Sequence, residues 1–466
     1  MSNSSQNDRP AQGRVRTELR AVVALATPVV AAQVGMMTMG FVDTLMLGRV
    51  SEIDLAASAL GNALFMGLGM FPMGILFALD ALVSQAWGAR DMDRIAGHAQ
   101  RGLLVAGVLS ILMSIPMFFA APLMRLVGQP PELVAPGSVY LELLVISTPA
   151  HLLFVAVRQT LQAMGKVRPA VVAMVVGNLI NIVANYALIF GHFGFPALGV
   201  EGSAHATNLS RWVMFFTLVA VAWPVLRPLE ILGHAGRGLR HRFAALFQSR
   251  GYRRLFGLGV PIGFQTSLEL WAFMAVALMM GNLGSLELAA HQIALNLSAM
   301  TFMVPLGIGG AAATRVGNAI GRGDSAGARL SAMVCLALGA GVMTVSAVGF
   351  AVFPEFLARL FTPDVPVITL AALLLPVAAL FQVFDGLQVV GMGVLRGTAD
   401  TRVPAVIAFL GYWILGLPLG WVLAHHVGLG PRGLWLGLTS GLASVAVLLL
   451  IRMRIRFRGE LVALDP

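Results

Sequence analysis

The stretch PVITLAALLLPVAALFQVFDGLQVVGM, residues 366–392, is 27 residues long and contains one charged side chain, Asp385. A helix needs about 20 consecutive apolar residues to cross the hydrocarbon core of a bilayer, so this stretch predicts a membrane-spanning helix. Similar apolar runs lie near residues 21–48, 57–80, 102–123, 135–157, 169–190, 203–226, 258–281, 289–313, 329–353, 404–424 and 433–451. These runs are continuous rather than alternations of about ten residues, and this pattern predicts helices rather than a β-barrel.

The composition of the 466-residue chain supports a membrane protein. Apolar residues make up 58% of the chain and charged residues only 11%, whereas soluble domains carry about 25% charged residues. This composition excludes a soluble globular protein and a disordered one. The single cysteine, Cys335, excludes an internal disulfide and a cysteine-based metal site. No GxxxxGK[ST] motif is present, so the chain carries no ATP-binding loop of that kind.

The positions of the basic residues predict the orientation of the chain. If the N-terminus is cytoplasmic, the inner segments hold 26 of the 31 Lys and Arg residues and the outer segments hold 4. This asymmetry follows the positive-inside rule, and it places both termini in the cytoplasm. The net charge of +10 therefore belongs to cytoplasmic loops, and we expect no nucleic-acid partner. We expect a multi-pass monomer in the inner (plasma) membrane of a bacterium.

The two halves of the sequence repeat each other at a constant offset of 233 residues. The matching pairs are Pro28 and Pro261, Pro72 and Pro305, Gly74 and Gly307, Gly88 and Gly321, and Asp91 and Asp324. Six spans per half is an even number, so both halves cross the membrane in the same direction, as in transporters built from parallel repeats. We therefore predict an all-α integral membrane protein with twelve transmembrane helices, arranged as two six-helix lobes related by a parallel pseudo-two-fold repeat.

These observations divide the chain into five regions. They are a cytoplasmic N-terminal tail (1–20), an N-terminal six-helix lobe (21–226), a basic cytoplasmic inter-lobe loop (227–257), a C-terminal six-helix lobe (258–451) and a basic cytoplasmic tail (452–466).

Acidic side chains within predicted spans are candidate functional residues, because an ionisable group is costly at membrane depth. Glu269 lies 11 residues from the inner end of the seventh span and Asp385 about 7 residues from the inner end of the tenth. At a rise of 1.5 Å per residue their depths differ by only about 6 Å. Two such carboxyl groups can share a proton or hold a dehydrated cation. Phe381 lies one turn before Asp385 on the same helical face.

A second candidate group, for protonation or substrate binding, lies in the N-terminal half. Asp43 is in the first span, and Asn178, Asn181 and Asn185 follow one face of the fifth span. Amide side chains at this depth either line a wet cavity or join helices. In the C-terminal half Gln265, one turn before Glu269, and Gln292 are similar candidates. The side chain of Phe302 is a candidate for the apolar wall of a cavity.

Four segments resemble the multidrug and toxic compound extrusion (MATE) family, most closely its NorM-like bacterial branch. They are GFVDTLMLG (40–48), DALVSQAWGARD (80–91), RVGNAIGRGD (315–324) and FQVFDGLQVVGMGVLRGTADTRVP (381–404), and the resemblance covers about residues 20–456. It implies a twelve-helix transporter that exports organic cations in exchange for inward Na⁺ or H⁺. This chain has Phe381 where the branch often has Tyr, and the missing hydroxyl weakens the case for Na⁺.

The resemblance also implies roles for individual residues. Glu269 and Asp385 occupy the positions at which that branch binds its coupling cation, which can be Na⁺. Asp43 occupies the position of the acidic residue in the N-terminal lobe of that branch. Gln292 and Asp364 resemble positions that contact the drug in relatives.

We interpret the chain as a secondary multidrug antiporter that works by rocking-type alternating access. Its partners would be organic-cation drugs and dyes and the lipid bilayer. It would need no cofactor beyond the coupling ion and no ATP-binding subunit. The first alternative is a flippase for lipid-linked saccharides from the same superfamily. That function needs a cationic cavity, and Arg211 is the only basic residue within a predicted span. A membrane enzyme would need clustered catalytic residues, and a structural protein or a receptor would leave the intramembrane acids unexplained.

Overall fold

The computed structural model describes residues 11–126, 128–229 and 249–464. Throughout these residues the regular structure is helical, and twelve helices are long and apolar enough to cross a membrane. They are α1 (Gly13–Leu47), α2 (Glu52–Gly88), α3 (Met92–Met117), α4 (Pro131–Ala163), α5 (Arg168–Phe190), α6 (Gly199–Leu229), α7 (Ser249–Leu283), α8 (Ser285–Gly321), α9 (Ser325–Val352), α10 (Val365–Gly397), α11 (Arg402–His425) and α12 (Pro431–Arg458). The prediction of twelve transmembrane helices is confirmed.

Several helices extend well beyond the apolar runs that predict them. Side-chain capping explains where two of these helices begin. Before α3, the Asp91 side chain accepts a hydrogen bond from the Arg94 N–H at 3.0 Å. Before α9, the Asp324 side chain accepts one from the Gly327 N–H at 2.7 Å. The extension of α4 includes Arg158, which is buried. The side of the membrane on which Arg158 lies stays a prediction.

Three of the twelve helices contain an interruption. The α-helical geometry of α2 breaks at Phe77, and α4 contains a 3₁₀ turn at Val145–Ser147. In α11 the segment Leu410–Gly416 is a π-helix. Such wide turns are rare and occur frequently at functional sites. This one carries Tyr412, whose side chain is fully buried.

Glycine allows helices to approach closely, as is common in membrane proteins. A Cβ atom at Gly393 of α10 would lie 2.1 Å from the carbonyl oxygen of Gly309 in α8. A Cβ at Gly177 of α5 would lie 2.1 Å from Cγ of Met214 in α6. Both helix pairs therefore need a residue without a side chain at the contact.

Contacts divide the chain into two compact units. The N-terminal unit is Ala31–Val83 and Asp91–Gly263, and the C-terminal unit is Met1–Val30, Ser84–Arg90 and Phe264–Pro466. The start of α1 and the end of α2 thus pack within the C-terminal unit. The predicted inter-lobe loop is described only at 227–229 and 249–257, and residues 1–10 of the predicted N-terminal tail lie outside the described residues. The five predicted regions remain predictions.

The end of α2 and the end of α8 meet in a locally symmetric contact. A Cβ at Gly88 would lie 2.2 Å from the carbonyl oxygen of Asn318, and a Cβ at Gly321 would lie 2.0 Å from that of Gln85. Gly88 pairs with Gly321, and Gln85 with Asn318, at the 233-residue offset of the repeat. Equivalent segments of the two repeats therefore make the same contact with each other.

Candidate coupling and substrate sites

The C-terminal unit brings four polar side chains together between α7, α10 and the π-helical part of α11. Glu269 Oε1 accepts a hydrogen bond from Gln388 Nε2 at 3.2 Å and lies 3.4 Å from the Tyr412 hydroxyl. That hydroxyl donates to Gln388 Oε1 at 2.8 Å. The wide turn of α11 thus presents a tyrosine to a membrane-embedded carboxyl group.

Asp385 completes this site, as the sequence predicts. It lies one turn before Gln388 on α10, is 4% exposed, and interacts electrostatically with Glu269. Within the described part of the chain, neither carboxyl group forms an ion pair with a basic side chain. We call Glu269 and Asp385 the acid pair. Two buried carboxylates without a counter-cation are strongly unfavourable, so the pair is stabilised when it binds a proton or a small cation.

The possible cation ligands at the acid pair are the oxygens of two carboxyl groups and the Tyr412 hydroxyl, while the Gln388 amide turns its Nε2 toward Glu269 and its Oε1 toward Tyr412. Hard cations prefer such ligands, and a shared proton fits the same arrangement. The described residues contain no group of three or more His, Cys, Asp and Glu side chains suited to a metal ion. Phe381 contributes an aromatic contact instead, since its ring meets those of Phe273 and Trp435 edge-on at 6.0 and 5.7 Å.

A second polar cluster surrounds Asp43 in the N-terminal unit. Asp43 Oδ1 accepts a hydrogen bond from Asn185 Nδ2 at 2.6 Å, and Oδ2 accepts one from the Thr207 hydroxyl at 3.2 Å. Asn185 Nδ2 also lies 3.1 Å from Asn181 Oδ1. One hydrogen-bonded cluster therefore contains Asp43, Asn181 and Asn185. Asn178 instead donates to two backbone carbonyls, one of them that of Gly35 in α1 at 3.0 Å, and so joins α5 to α1.

Arg211 of α6 interacts electrostatically with Asp43 without forming a direct ion pair, a contact that the sequence does not indicate. The guanidinium is buried and interacts electrostatically with Asp43. Its Cζ lies 4.1 Å above the ring of Phe65, and its Nη1 donates to the Ser147 hydroxyl at 3.1 Å. Thr207 and Arg211 are one helical turn apart on α6, a spacing that marks them as neighbours but does not indicate which helix they face.

A second buried arginine also interacts with an acid. Arg158 of α4 donates to Gln33 Oε1 at 2.8 Å and interacts electrostatically with Asp80. Gln159 Nε2 donates to Asp80 Oδ1 at 3.0 Å. Among its described residues the N-terminal unit therefore contains two buried arginines, and each interacts with an aspartate.

The remaining predicted cavity residues lie at varied depths. Gln265 is buried and Phe302 half-buried, while Gln292 is exposed. Asp364 is exposed at the residue before α10, where its backbone N–H donates to the Thr362 hydroxyl at 3.1 Å. Their role in binding substrate stays a prediction.

Comparison with known families decides the class of the protein. The MatE family model matches residues 28–187 and again residues 261–422. The chain belongs to the MATE family. Members of this family are transporters and not enzymes, which confirms the prediction of a membrane transporter. The two matches start 233 residues apart, and this is the offset of the repeat in the sequence.

Solved MATE structures share the fold of the whole chain. The eukaryotic MATE transporter AtDTX14 is 23% identical with a TM-score of 0.86, over 95% of this chain and 96% of that one. The Vibrio cholerae MATE transporter VcmN in its bent form is 18% identical with a TM-score of 0.83, over 96% and 99%. A MOP superfamily transporter from Pyrococcus furiosus, described as having a binding pocket of reverse polarity that suggests a different function, is 19% identical with a TM-score of 0.84, over 95% and 96%. These likenesses confirm the all-helical, two-lobe fold and do not single out one branch.

Proposed function

We propose that this MATE transporter belongs to the NorM-like bacterial branch and exports organic cations and amphipathic drugs in exchange for inward H⁺ or Na⁺. The observation that carries this proposal is the buried acid pair, which no basic side chain among the described residues neutralises. Ionisable groups at membrane depth are typical of ion pathways and proton relays. We assign the acid pair as the coupling-cation site.

Coupling requires that the cation and the drug bind different conformations with different affinities. A proton or Na⁺ at the acid pair removes the repulsion between Glu269 and Asp385 and so favours the conformation in which the two carboxyl groups are closest. When the cation leaves, that conformation loses stability. This dependence gives alternating access by a rocking motion a physical cause that needs no ATP-binding subunit.

The choice between H⁺ and Na⁺ depends on the oxygen ligands. Phe381 supplies none, but the Tyr412 hydroxyl reaches Glu269 from α11. The absence of a tyrosine at position 381 therefore does not by itself disfavour Na⁺. Both ions remain in the proposal, and transport measurements decide between them.

The balance of buried charge favours cationic substrates. Arg158 and Arg211 each interact with an aspartate, whereas the acid pair has no basic partner among the described residues. A lipid-linked saccharide flippase would need uncompensated basic groups to bind pyrophosphate. Apolar and aromatic walls suit amphipathic monocations. The P. furiosus relative is described as having a binding pocket of reverse polarity on the same fold. The charge of the substrate must therefore be argued from the residues and not from the fold.

Transport in proteoliposomes tests the proposed function. A Na⁺ gradient and a pH gradient are imposed separately, and the movement of ethidium, a monocation, is compared with that of an anionic dye of similar size. We expect one of the gradients to drive ethidium and neither to drive the anion. The proposal is wrong if neither gradient moves ethidium, or if the anionic dye is the better substrate.

The proposed topology is tested by the chemical reactivity of cysteines placed in the two terminal tails. We expect both tails to face the cytoplasm of a bacterial cell.

A further inference from the structure

A row of buried polar groups without hydrogen-bond partners runs along α8, α10 and α12 of the C-terminal unit. The unpartnered atoms are both ring nitrogens of His291, Oγ of Ser298, Oε1 of Gln382 and Nε1 of Trp435. Each of these four residues is at most 4% exposed. We call them the His291 row. Buried polar atoms in proteins nearly always have a partner, which is often an ordered water molecule.

Two contacts and helical spacing place the members of the row near one another. The rings of His291 and Trp435 meet edge-on at 5.7 Å. Ser298 follows His291 by seven residues and so lies on the same face of α8. Three residues further along, the Thr301 hydroxyl accepts a hydrogen bond from Gln382 Nε2 at 2.8 Å. From His291 to Thr301 the row extends about 15 Å along α8, at 1.5 Å per residue.

The row leads to the acid pair. Gln382 and Asp385 are three residues apart on α10, so their side chains share a face. Next to Gln382, the ring of Phe381 contacts Trp435 at 5.7 Å. The other end of the row, His291, is about 9 Å along α8 from its first residue, Ser285.

The chemistry of the row fits water better than an ion or an apolar ligand. A neutral imidazole offers one donor and one acceptor, an indole N–H is a donor, an amide oxygen is an acceptor, and a hydroxyl is both. A buried water molecule forms about three hydrogen bonds and needs both kinds of partner. A cation would need mainly acceptors, and the row has no carboxylate.

We propose that the His291 row binds a file of water molecules, which forms a hydrated route inside the C-terminal unit between the Ser285 end of α8 and Asp385. The file lets a proton or a small cation reach the acid pair without crossing an apolar layer. This inference rests on the proposed coupling role of the acid pair, and it adds the path by which the coupling cation arrives.

X-ray hydroxyl-radical footprinting of the purified full-length protein tests for the water directly. Radicals form from water next to a side chain, so a buried residue is modified only where water is bound beside it. We expect modification of His291 and Trp435. Phe154 and Met343 are similarly buried controls outside the row and should remain unmodified, although methionine is highly reactive. If His291 and Trp435 are as unreactive as these controls, the row is dry and the proposal is wrong.

Two variants test whether the water serves as a route. Trp435→Phe removes the N–H and keeps a ring, and Ser298→Ala removes the hydroxyl. Ser110→Ala in α3 is the buried control. We expect the first two variants to reduce modification of His291 and to slow gradient-driven ethidium transport severalfold while ethidium binding is unchanged. The route is excluded if footprinting at His291 falls but transport keeps the wild-type rate. If neither the Na⁺ gradient nor the pH gradient drives ethidium transport by the wild-type protein, the proposed function fails. The footprint of the wild-type protein still decides whether the row holds water.

Discussion

At the scale of single residues, charge balance separates the two buried acidic sites. Asp43 has two hydrogen-bond donors and interacts with Arg211, and these interactions favour its carboxylate against the cost of burial. Glu269 and Asp385 repel each other and lack such a cation among the described residues. A site that lacks a positive charge of its own is the one that gains most from a bound cation. This difference supports the proposed coupling site in the C-terminal unit, while the predicted role of Asp43 in protonation or substrate binding stays a prediction.

Tyr412→Phe tests the oxygen ligands of the acid pair. The change removes a hydroxyl that bonds Gln388 and lies 3.4 Å from Glu269. A hydrogen bond to a charged group contributes about 1.5–3 kcal/mol, so we expect the half-saturating concentration of the driving ion to rise about tenfold or more. Tyr186→Phe, at an exposed position of α5, is the control. An unchanged ion dependence in the Tyr412 variant would show that this hydroxyl is not a ligand.

The Asp43 and Arg211 side chains should behave as an energetically coupled pair. Removing one of two interacting buried charges destabilises the fold, because the remaining charge loses compensation. We expect Asp43→Asn and Arg211→Gln each to lower the thermal unfolding temperature in detergent. The double variant should be less destabilised than the sum of the two. Strictly additive effects would mean that the two side chains do not stabilise each other.

Sequence reasoning identified part of each site. Helical spacing indicated Asn181 and Asn185, and depth within the membrane indicated Asp43, Glu269 and Asp385. Thr207, Arg211 and Tyr412 were missed as site residues, because a contact between distant helices leaves no periodic signal in one sequence. Arg158 lies just beyond the predicted fourth span, whereas α4 continues through it, because apolar length alone does not show where a helix ends.

At the scale of helices, the number and order of the spans could be predicted and their detailed geometry could not. Apolar length is sufficient to locate a membrane helix. The π-helical segment Leu410–Gly416 has no such signal, because its residues are as apolar as their neighbours. The close approach of α8 and α10 is equally hidden, since many of the 52 glycines meet no neighbouring helix.

Gly393→Ala tests the close approach of α8 and α10. The new methyl group would lie 2.1 Å from the Gly309 carbonyl oxygen, so the backbones must separate. Overpacking of this kind costs about 1–3 kcal/mol, and we expect a lower unfolding temperature. At Gly341 of α9, a Cβ would meet no atom within 4 Å in the described structure. Gly341→Ala should therefore be neutral or slightly stabilising, because alanine favours a helix by about 1 kcal/mol over glycine. Equal stability of the two variants would contradict the packing argument.

At the scale of the whole molecule, the repeat explains the contact between the ends of α2 and α8. One segment comes from each half of the sequence. Gly88 packs against the backbone carbonyl of Asn318, and Gly321 packs against that of Gln85. Under the proposed topology this contact lies on the cytoplasmic side. Both segments pack within the C-terminal unit, so the contact must open only if transport separates the two halves of the sequence on this side.

A disulfide between Ser84→Cys and Gly317→Cys tests this requirement. A Cβ at Gly317 would lie 2.9 Å from the Ser84 Cβ, and a disulfide needs about 3.5–4.5 Å, so a small adjustment suffices. In a background where Cys335 is replaced by Ala, we expect oxidation to abolish ethidium transport and a reductant to restore it. Each single-cysteine variant under the same oxidant is the control. Full transport by the cross-linked protein would show that this contact does not open.

Cation release from the acid pair tests the central claim most directly. Ethidium is added to purified wild-type protein loaded with the coupling cation, and released H⁺ is followed with a pH dye or released Na⁺ with a radioactive tracer. We predict release from the wild-type protein and from Glu355→Gln, a control at an exposed carboxylate. We predict little or no release from Glu269→Gln and Asp385→Asn, although both still bind ethidium. The assignment of the coupling site would be contradicted if both variants released as much cation as the wild-type protein.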